Sequence, residues 1–312
     1  MFDDKLATYH FGEDHPFGPK RYWAFKDEFE RRELNRKVSL CSAQLATEEQ
    51  LALFHTQDYI EKVKQLSITE TGAITGEAYL DCGDTPARKG IYDAACTVVG
   101  TVLKAIDLLM ARQFKHAFSP IAGLHHATRT SASGFCVFND CGIAIEYLRN
   151  QYNIQRIAYI DIDAHHGDGV FYAFEDDVNL CFVDFHQDGR TLYPGTGSIY
   201  ETGKEDAVGS KLNIPLAPYT TDDIANELWQ RAEAFIDKSA PEFILLQCGA
   251  DSLQGDPITQ LNLSSGFHAY VAARLSKLAN KHCHGRLLAM GGGGYNLVNI
   301  KNAWNDVVEA LC

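Results

Sequence analysis

Five short apolar runs, each ending in polar or glycine-rich residues, alternate along this chain with longer stretches of helical period. The runs are "KHAFSPIAG" (115–123), "RIAYIDID" (156–163), "NLCFVDFH" (179–186), "FILLQCGA" (243–250) and "RLLAMGGGG" (286–294). Their length and their Ile, Val, Phe and Leu content predict buried strands. The longer patterns predict helices over 86–112, 137–151, 221–238, 264–282 and 296–311, with two more near 20–34 and 47–66. Pro86 is placed to open the first of these, and the run "TTDD" at 220–223 to cap the third. Strands alternating with helices predict an α/β fold around a mainly parallel sheet. Such sheets bind ligands beyond the carboxyl ends of their strands.

No linker, repeat or low-complexity stretch divides the 312 residues. A single domain over 1–312 is expected, long enough to bury about 75% of the surface its unfolded form exposes. The net charge of −13, with no Lys/Arg-rich run, speaks against a direct nucleic-acid partner. An acidic surface admits cationic substrates but serves solubility equally well. Nine cysteines without a CxxC pair, and a start "MFDDKLATYHFGEDH" with neither a basic nor an apolar leader, point to a reducing cytoplasm. Cys136, Cys141, Cys181 and Cys248 sit in apolar runs and are expected in the core. No run approaches the ~18 apolar residues of a membrane-crossing helix, so no membrane partner is expected. The oligomeric state has no signature in the sequence.

Chemistry gathers where the predicted strands end. His125 and His126 follow the first, "DIDAHHGDG" closes the second, "GADSLQGDP" follows the fourth, and "GGGGY" with Tyr295 closes the fifth. Alternate residues of an extended chain share a face, so Asp161, Asp163 and His165 are expected to point together. A carboxylate and an imidazole two positions apart reach one small cation, and Asp251, beyond another strand, can supply a third ligand. Three protein ligands with a position left for water is the pattern of catalytic zinc. The alternative is a set of buried ion pairs, which would have to compensate three carboxylates at once. A two-metal hydrolase of the arginase type needs further bridging carboxylates. Their natural places hold Gly167 and Leu253, which cannot ligate, so one metal is expected. No G-x-S-x-G elbow or phosphate-binding loop is present, and Asn296 stands where a dinucleotide fingerprint needs its last glycine. A Cys136 nucleophile near His126 stays open, although a reactive thiol needs an electropositive setting.

"HHA" (125–127), "SGFCVFND" (133–140), "DIDAHHGDGV" (161–170), "PGTG" (194–197), "QCGADSLQGDP" (247–257) and "GGGGYN" (291–296) occur in one order along the chain. In that order and spacing the chain resembles the zinc-dependent histone deacetylase family, which includes bacterial acetoin-utilisation-type deacetylases and acetylpolyamine amidohydrolases. The resemblance runs from "HFGEDHPFGPKRY" (10–22) to the C-terminal helix. It implies a single-domain arginase/deacetylase α/β fold, with a central eight-stranded parallel sheet flanked by helices. It implies Zn²⁺ on Asp163, His165 and Asp251, with Fe²⁺ as an alternative because the ligand types overlap. His125 and His126 would be the tandem histidines beside the metal water, buttressed by Asp161 and Asp168, and Tyr295 the catalytic tyrosine. Gly134, Phe135 and Tyr193 would line a narrow acyl-lysine tunnel with Ile258 near its rim. Asp84 would hold the substrate backbone at the entrance, and Arg21 would lie near the product-release path. A structural K⁺ is also implied, on main-chain oxygens of Asp161, Asp163, His165 and Phe185. Asp184 stands where the family commonly has a serine, and would add a carboxylate to that site.

The activity implied is hydrolysis of an acyl amide, acetyl first. His126 would act as base, His125 electrostatically, and the Tyr295 hydroxyl as donor to the oxyanion. Three readings stay open: acetyl-lysine in proteins or peptides as substrate, acetylated polyamines or other small N-acyl amines, and an inactive module that binds acyl-lysine. The complete set Asp163, His165, Asp251 and Tyr295 argues against the last.

Overall fold

The computed structural model describes residues 1–68, 79–81 and 83–312. Its sheet is built from β1 (His116–Ser119), β2 (Ile157–Asp161), β3 (Leu180–Gln187), β4 (Lys211–Leu216), β5 (Phe243–Gln247) and β6 (Leu287–Met290). They lie in the order β1-β6-β5-β2-β3-β4, and every neighbouring pair is parallel. The implied eight strands are therefore corrected to six among the described residues.

The helices are α1 (Lys20–Arg31), α2 (Glu48–Leu51), α3 (Gln57–Leu66), α4 (Ile91–Met110), α5 (Asp140–Tyr152), α6 (Asp168–Ala173), α7 (Asp222–Ser239), α8 (Ser265–His282) and α9 (Leu297–Leu311). Helices α1, α9, α8 and α7 pack in succession, as do α4, α5 and α6. Covered by helices, β2, β3 and β5 are buried along their whole length, which explains why they read as continuous apolar runs rather than alternating ones. Among the described residues no helix is long and apolar enough to cross a membrane.

Several boundaries differ from the sequence pattern for local reasons. Helix α4 starts at Ile91 and not near Pro86, because Gly90 at φ 81° breaks the helical path; Pro86 instead bridges to Tyr79. The single helix expected over 47–66 is two, the first opened by a capping box between Thr47 and Gln50. Thr221 is the N-cap of α7, but its side chain makes no capping bond. Asp222 beside it accepts instead from the Ser264 N–H at 2.8 Å. Strand β4 was not expected, since its sequence KLNIPL interleaves polar residues and carries Pro215. It is the edge strand on that side, where a missing N–H is tolerated.

Candidate active site

The neighbours β1, β6, β5 and β2 deliver all the titratable loops to one end of the sheet. Because β2 ends at Asp161, strand alternation does not reach Asp163 and His165. Side-chain-to-backbone bonds preserve the spacing instead. The Asp163 N–H donates to Asp161 Oδ1 at 3.1 Å, and the His165 N–H to Asp163 Oδ1 at 3.0 Å. Asp251 sits in the turn Ala250–Ser252 after β5, and its Oδ1 accepts from the Ala164 N–H at 2.9 Å. Thus Asp163, His165 and Asp251, all buried, bring one ligand atom each to within 4.8 Å of one another. The glycine run wraps this cluster. A Cβ at Gly293 would stand 2.1 Å from Asp251 Oδ2, and one at Gly249 2.0 Å from Asp163 Oδ2. These glycines permit close approach to carboxylates, not to a phosphate.

Above the cluster stands the histidine pair. His125 Nδ1 is 2.7 Å from Asp161 Oδ2, His126 Nδ1 is 2.6 Å from Asp168 Oδ1, and the two Nε2 atoms are 3.1 Å apart. Burial opposes charge on His125, yet Asp161 and Asp163 outweigh it and raise its pKa to about 10. Burial and the neighbouring His125 both lower that of His126. The two rings thus divide into a cationic and a neutral member.

The donor set fits a divalent cation. Burial and repulsion from Asp163 raise the Asp251 pKa to about 7. Burial would keep His165 neutral, but the two carboxylates beside it raise its pKa to about 10. Two enclosed carboxylates therefore demand positive charge between them, and two oxygens with one imidazole nitrogen suit Zn²⁺ or Fe²⁺. Gly167 and Leu253 add no ligand, and this is the one such cluster among the described residues.

A small cavity opens on the cluster. Its walls include Phe17, Leu124, Gly134, Cys136 and Tyr295 beside His125, His126, Asp163 and His165. Burial first, then Asp251 and Asp163, hold the Tyr295 phenol well above its ordinary pKa, so it remains a donor. Gly134 and Phe135 both have left-handed backbones, at φ 53° and 65°. A Cβ on Gly134 would meet His126 Cδ2 at 2.5 Å. The Phe135 ring stands edge-on to Tyr295 with centroids 5.8 Å apart, and Tyr193 lies 5.2 Å from His126.

The outlying candidates fall at varying distances. Ile258 is partly exposed, and its N–H is held by Asp256. Asp84 accepts from Thr85 Oγ at 3.0 Å, and the same hydroxyl accepts from the Phe135 N–H at 3.0 Å, which ties Asp84 to the cavity wall. Arg21 is buried behind the glycine run, donating to the carbonyls of Gly294 (2.8 Å) and Gly292 (2.6 Å) and stacking on Phe17. Asp184 pairs across the sheet with Asp161, and its two oxygens meet His186 Nδ1 (2.7 Å) and the Gly167 N–H (2.9 Å). Phe185, next to it, is buried. The setting of Cys136 disfavours a nucleophile: burial pushes its thiol well above the ordinary value, and it donates to the Gly134 carbonyl.

Four contributors escaped the sequence reading. Gln247 donates to Asp163 Oδ2 at 2.8 Å and accepts from the Gly249 N–H at 2.7 Å. Tyr159 donates to Asp161 Oδ2 at 2.6 Å. Asp140 accepts from the N–H groups of Gly123 and Leu124, fixing the loop before the histidines. Asp256 accepts from the Tyr295 N–H at 2.8 Å. Only position hinted at them: each is a polar residue at the end of an apolar run or inside a motif.

The family model described as histone deacetylase domain matches residues 15–311. Among curated proteins, the acetoin utilization protein AcuC of Bacillus subtilis (strain 168) is 38% identical over 307 residues, spanning 97% of this chain and 79% of that protein. AcuC of Staphylococcus aureus (strain MRSA252) is 32% identical over 317 residues, 100% of this chain and 80% of the relative. AcuC of Staphylococcus xylosus is 31% identical over 314 residues, 100% of this chain and 81% of the relative.

Proposed function

This chain belongs to the histone deacetylase family, and from that premise we propose that it is a metal-dependent hydrolase of the acetyl amide of acetyl-lysine in proteins or peptides. One observation carries the reading: the paired Nε2 atoms of His125 and His126 stand beside the Asp163–His165–Asp251 cluster, and Tyr295 lines the same cavity. We take residues 1–312 as one catalytic domain. Its eight described cysteines are all free, which supports a reducing cytoplasm as its setting.

Asp163, His165 and Asp251 would hold Zn²⁺ or Fe²⁺, which when bound supplies Lewis acidity toward the amide carbonyl and the attacking water. His126, neutral and oriented by Asp168, takes the water proton at Nε2 and returns it to the leaving amine. His125, kept cationic by Asp161, stabilises developing negative charge without transferring its proton. The Tyr295 hydroxyl donates to the oxyanion. Gly134, Phe135 and Tyr193 wall the acyl chain and exclude water, Ile258 marks the rim, Asp84 receives the substrate backbone, and Arg21 lines the exit for the released acid. A K⁺ ion on the main-chain oxygens of Asp161, Asp163, His165 and Phe185, with Asp184 beside it, would stiffen the ligand loop.

The net charge of −13 also favours a cationic substrate, which supports small acetylated polyamines as the second reading. A turnover panel of acetyl-lysine peptides, acetylpolyamines and longer acyl-lysines, with metal content measured on the same sample, separates them. The first reading expects the acetyl-lysine peptides to turn over fastest. A panel without turnover on metal-loaded protein leaves only a binding module.

A further inference from the structure

Gly134 and Phe135 form the loop of a tight hairpin. Ser133 and Cys136 exchange both backbone bonds, from the Cys136 N–H at 2.8 Å and from the Ser133 N–H at 3.2 Å. With φ 53° and 65° at the two central residues, the loop has the sign pattern of a type I′ turn. That turn favours glycine or asparagine at its centre. Gly134 meets the demand and Phe135 does not, since a bulky side chain rarely adopts a left-handed backbone. Such strain persists only where the surroundings over-determine it.

Two buried side chains from distant segments do this for Phe135. Its N–H donates to Thr85 Oγ1 at 3.0 Å, and the Tyr9 hydroxyl donates to its carbonyl at 2.8 Å. Tyr9 also accepts from the Val137 N–H at 2.9 Å, so one phenol spans the exit of the turn. The clamps are themselves fixed. The Thr85 N–H donates to Asp81 Oδ1 at 3.0 Å, and the Tyr9 ring stands edge-on to Phe11 (5.7 Å) and Phe17 (5.4 Å). The Phe135 ring that they aim stands edge-on to Tyr295 at 5.8 Å and to His15 at 4.7 Å. Neither Tyr9 nor Thr85 lines the cavity over the ligand cluster.

Resting on the reading of that cavity as the acyl-amide site, we propose that Thr85 and Tyr9 are positioning residues for substrate binding. By gripping the N–H and C=O of Phe135 they hold it left-handed, and so keep its ring as a wall for the acyl-bearing chain. Released from either grip, Phe135 relaxes toward the right-handed region and its ring leaves the wall. A wall contact acts equally on bound substrate and transition state, so its loss raises KM and leaves kcat in place.

The test uses the full chain, metal-loaded, with 4-fluorophenylalanine incorporated at position 135 for fluorine NMR and unlabelled protein for kinetics on an acetyl-lysine peptide. Thr85→Val and Tyr9→Phe keep shape but remove one bond each. Both are expected to move or split the fluorine resonance and to raise KM roughly 5- to 10-fold, with kcat within about 2-fold. Thr85→Ser keeps the hydroxyl and is expected to restore both readouts. Thr85 Oγ1 also donates to Asp84 at 3.0 Å, so the same substitution is made in a Phe135→Gly background. There Thr85→Val is expected to add less than about 2-fold to KM, because its effect passes through Phe135. An equal rise in that background overturns the proposal, as does an unmoved resonance with unchanged KM in both single variants. If the parent turns over no acetyl-lysine peptide, the activity reading fails, while the fluorine spectra still decide the clamp: an unmoved resonance in both variants refutes it.

Discussion

His125 and His126 face each other through Nε2 atoms 3.1 Å apart, and each is anchored at Nδ1 to a different aspartate, the buried Asp161 and the half-buried Asp168. The anchors differ in what surrounds them. Asp161 and Asp163 outweigh burial and drive His125 cationic, whereas burial first, and then the cation next door, lower the pKa of His126. Two adjacent, chemically identical residues thus acquire two roles. Replacing His126 with Ala is expected to lower kcat ~100- to 10,000-fold. Asp168→Asn, which leaves the ring in place but frees its orientation, is expected to cost ~10- to 100-fold. Steady-state kinetics on metal-loaded protein checks both, and a near-normal kcat for His126→Ala contradicts the base assignment.

The Tyr295 phenol is kept protonated by its surroundings and faces the ligand cluster. Tyr295→Phe is expected to keep its metal and lose ~100- to 1000-fold in kcat. Metal analysis beside kinetics reads this out, and turnover close to that of the parent removes the oxyanion role.

Gly293 makes a separate prediction, because it ligates nothing. Its added Cβ would fall 2.1 Å from Asp251 Oδ2 and 2.8 Å from Asp163 Oδ2. Gly293→Ala should therefore weaken metal binding at least ~10-fold by displacing carboxylates, with secondary structure unchanged. Dialysis against chelator, followed by metal analysis and circular dichroism, decides it. Unaltered metal retention would show that the glycine run is not part of the cradle.

His55 gives a pH dependence away from the catalytic cluster. It is buried, and its Nε2 accepts from the Asn139 N–H at 2.9 Å, a bond that only a ring unprotonated at Nε2 can make. Burial lowers its pKa from 6.5 to about 3. Between those values the unfolded chain binds the extra proton, so stability is complete above about pH 6.5 and is lost as pH falls toward about 3. His55→Gln should flatten that fall by up to about 1.4 kcal/mol per pH unit. Denaturant unfolding of both proteins at pH 7, 6, 5 and 4 measures it, and identical slopes would show that His55 is not a source.

Asp184 bears on the monovalent ion. Activity titrated against K⁺ and Na⁺ should depend on the ion, and Asp184→Asn should alter the preference between the two. Indifference to both ions in the parent protein removes the support for that site.

How much of this was legible in the sequence depended on what each residue does. Ligands and tandem histidines could be read because metal and proton chemistry require particular residue types, and strand ends bring them together. Gln247, Asp140 and Asp256 could not, because their partners lie on loops up to 124 residues away and include main-chain groups, which carry no residue signature, as with the Gly123 carbonyl met by Gln247. Strands β2, β3 and β5 announced themselves by continuous apolar character. Strand β4 did not, since Lys211 and Asn213 interrupt it and only its edge position makes Pro215 acceptable. The eight-strand expectation came from resemblance, and the sheet of the described residues has six.

The account rests on Asp163, His165 and Asp251 sharing a single cation. Metal stoichiometry by mass spectrometry, on the parent and on Asp163→Ala, His165→Ala, Asp251→Ala and Tyr295→Phe, tests this most directly. One ion per chain in the parent and in Tyr295→Phe, falling toward none in the other three, is the predicted result. Two ions per chain in the parent, or full occupancy in any of the three ligand variants, would contradict it.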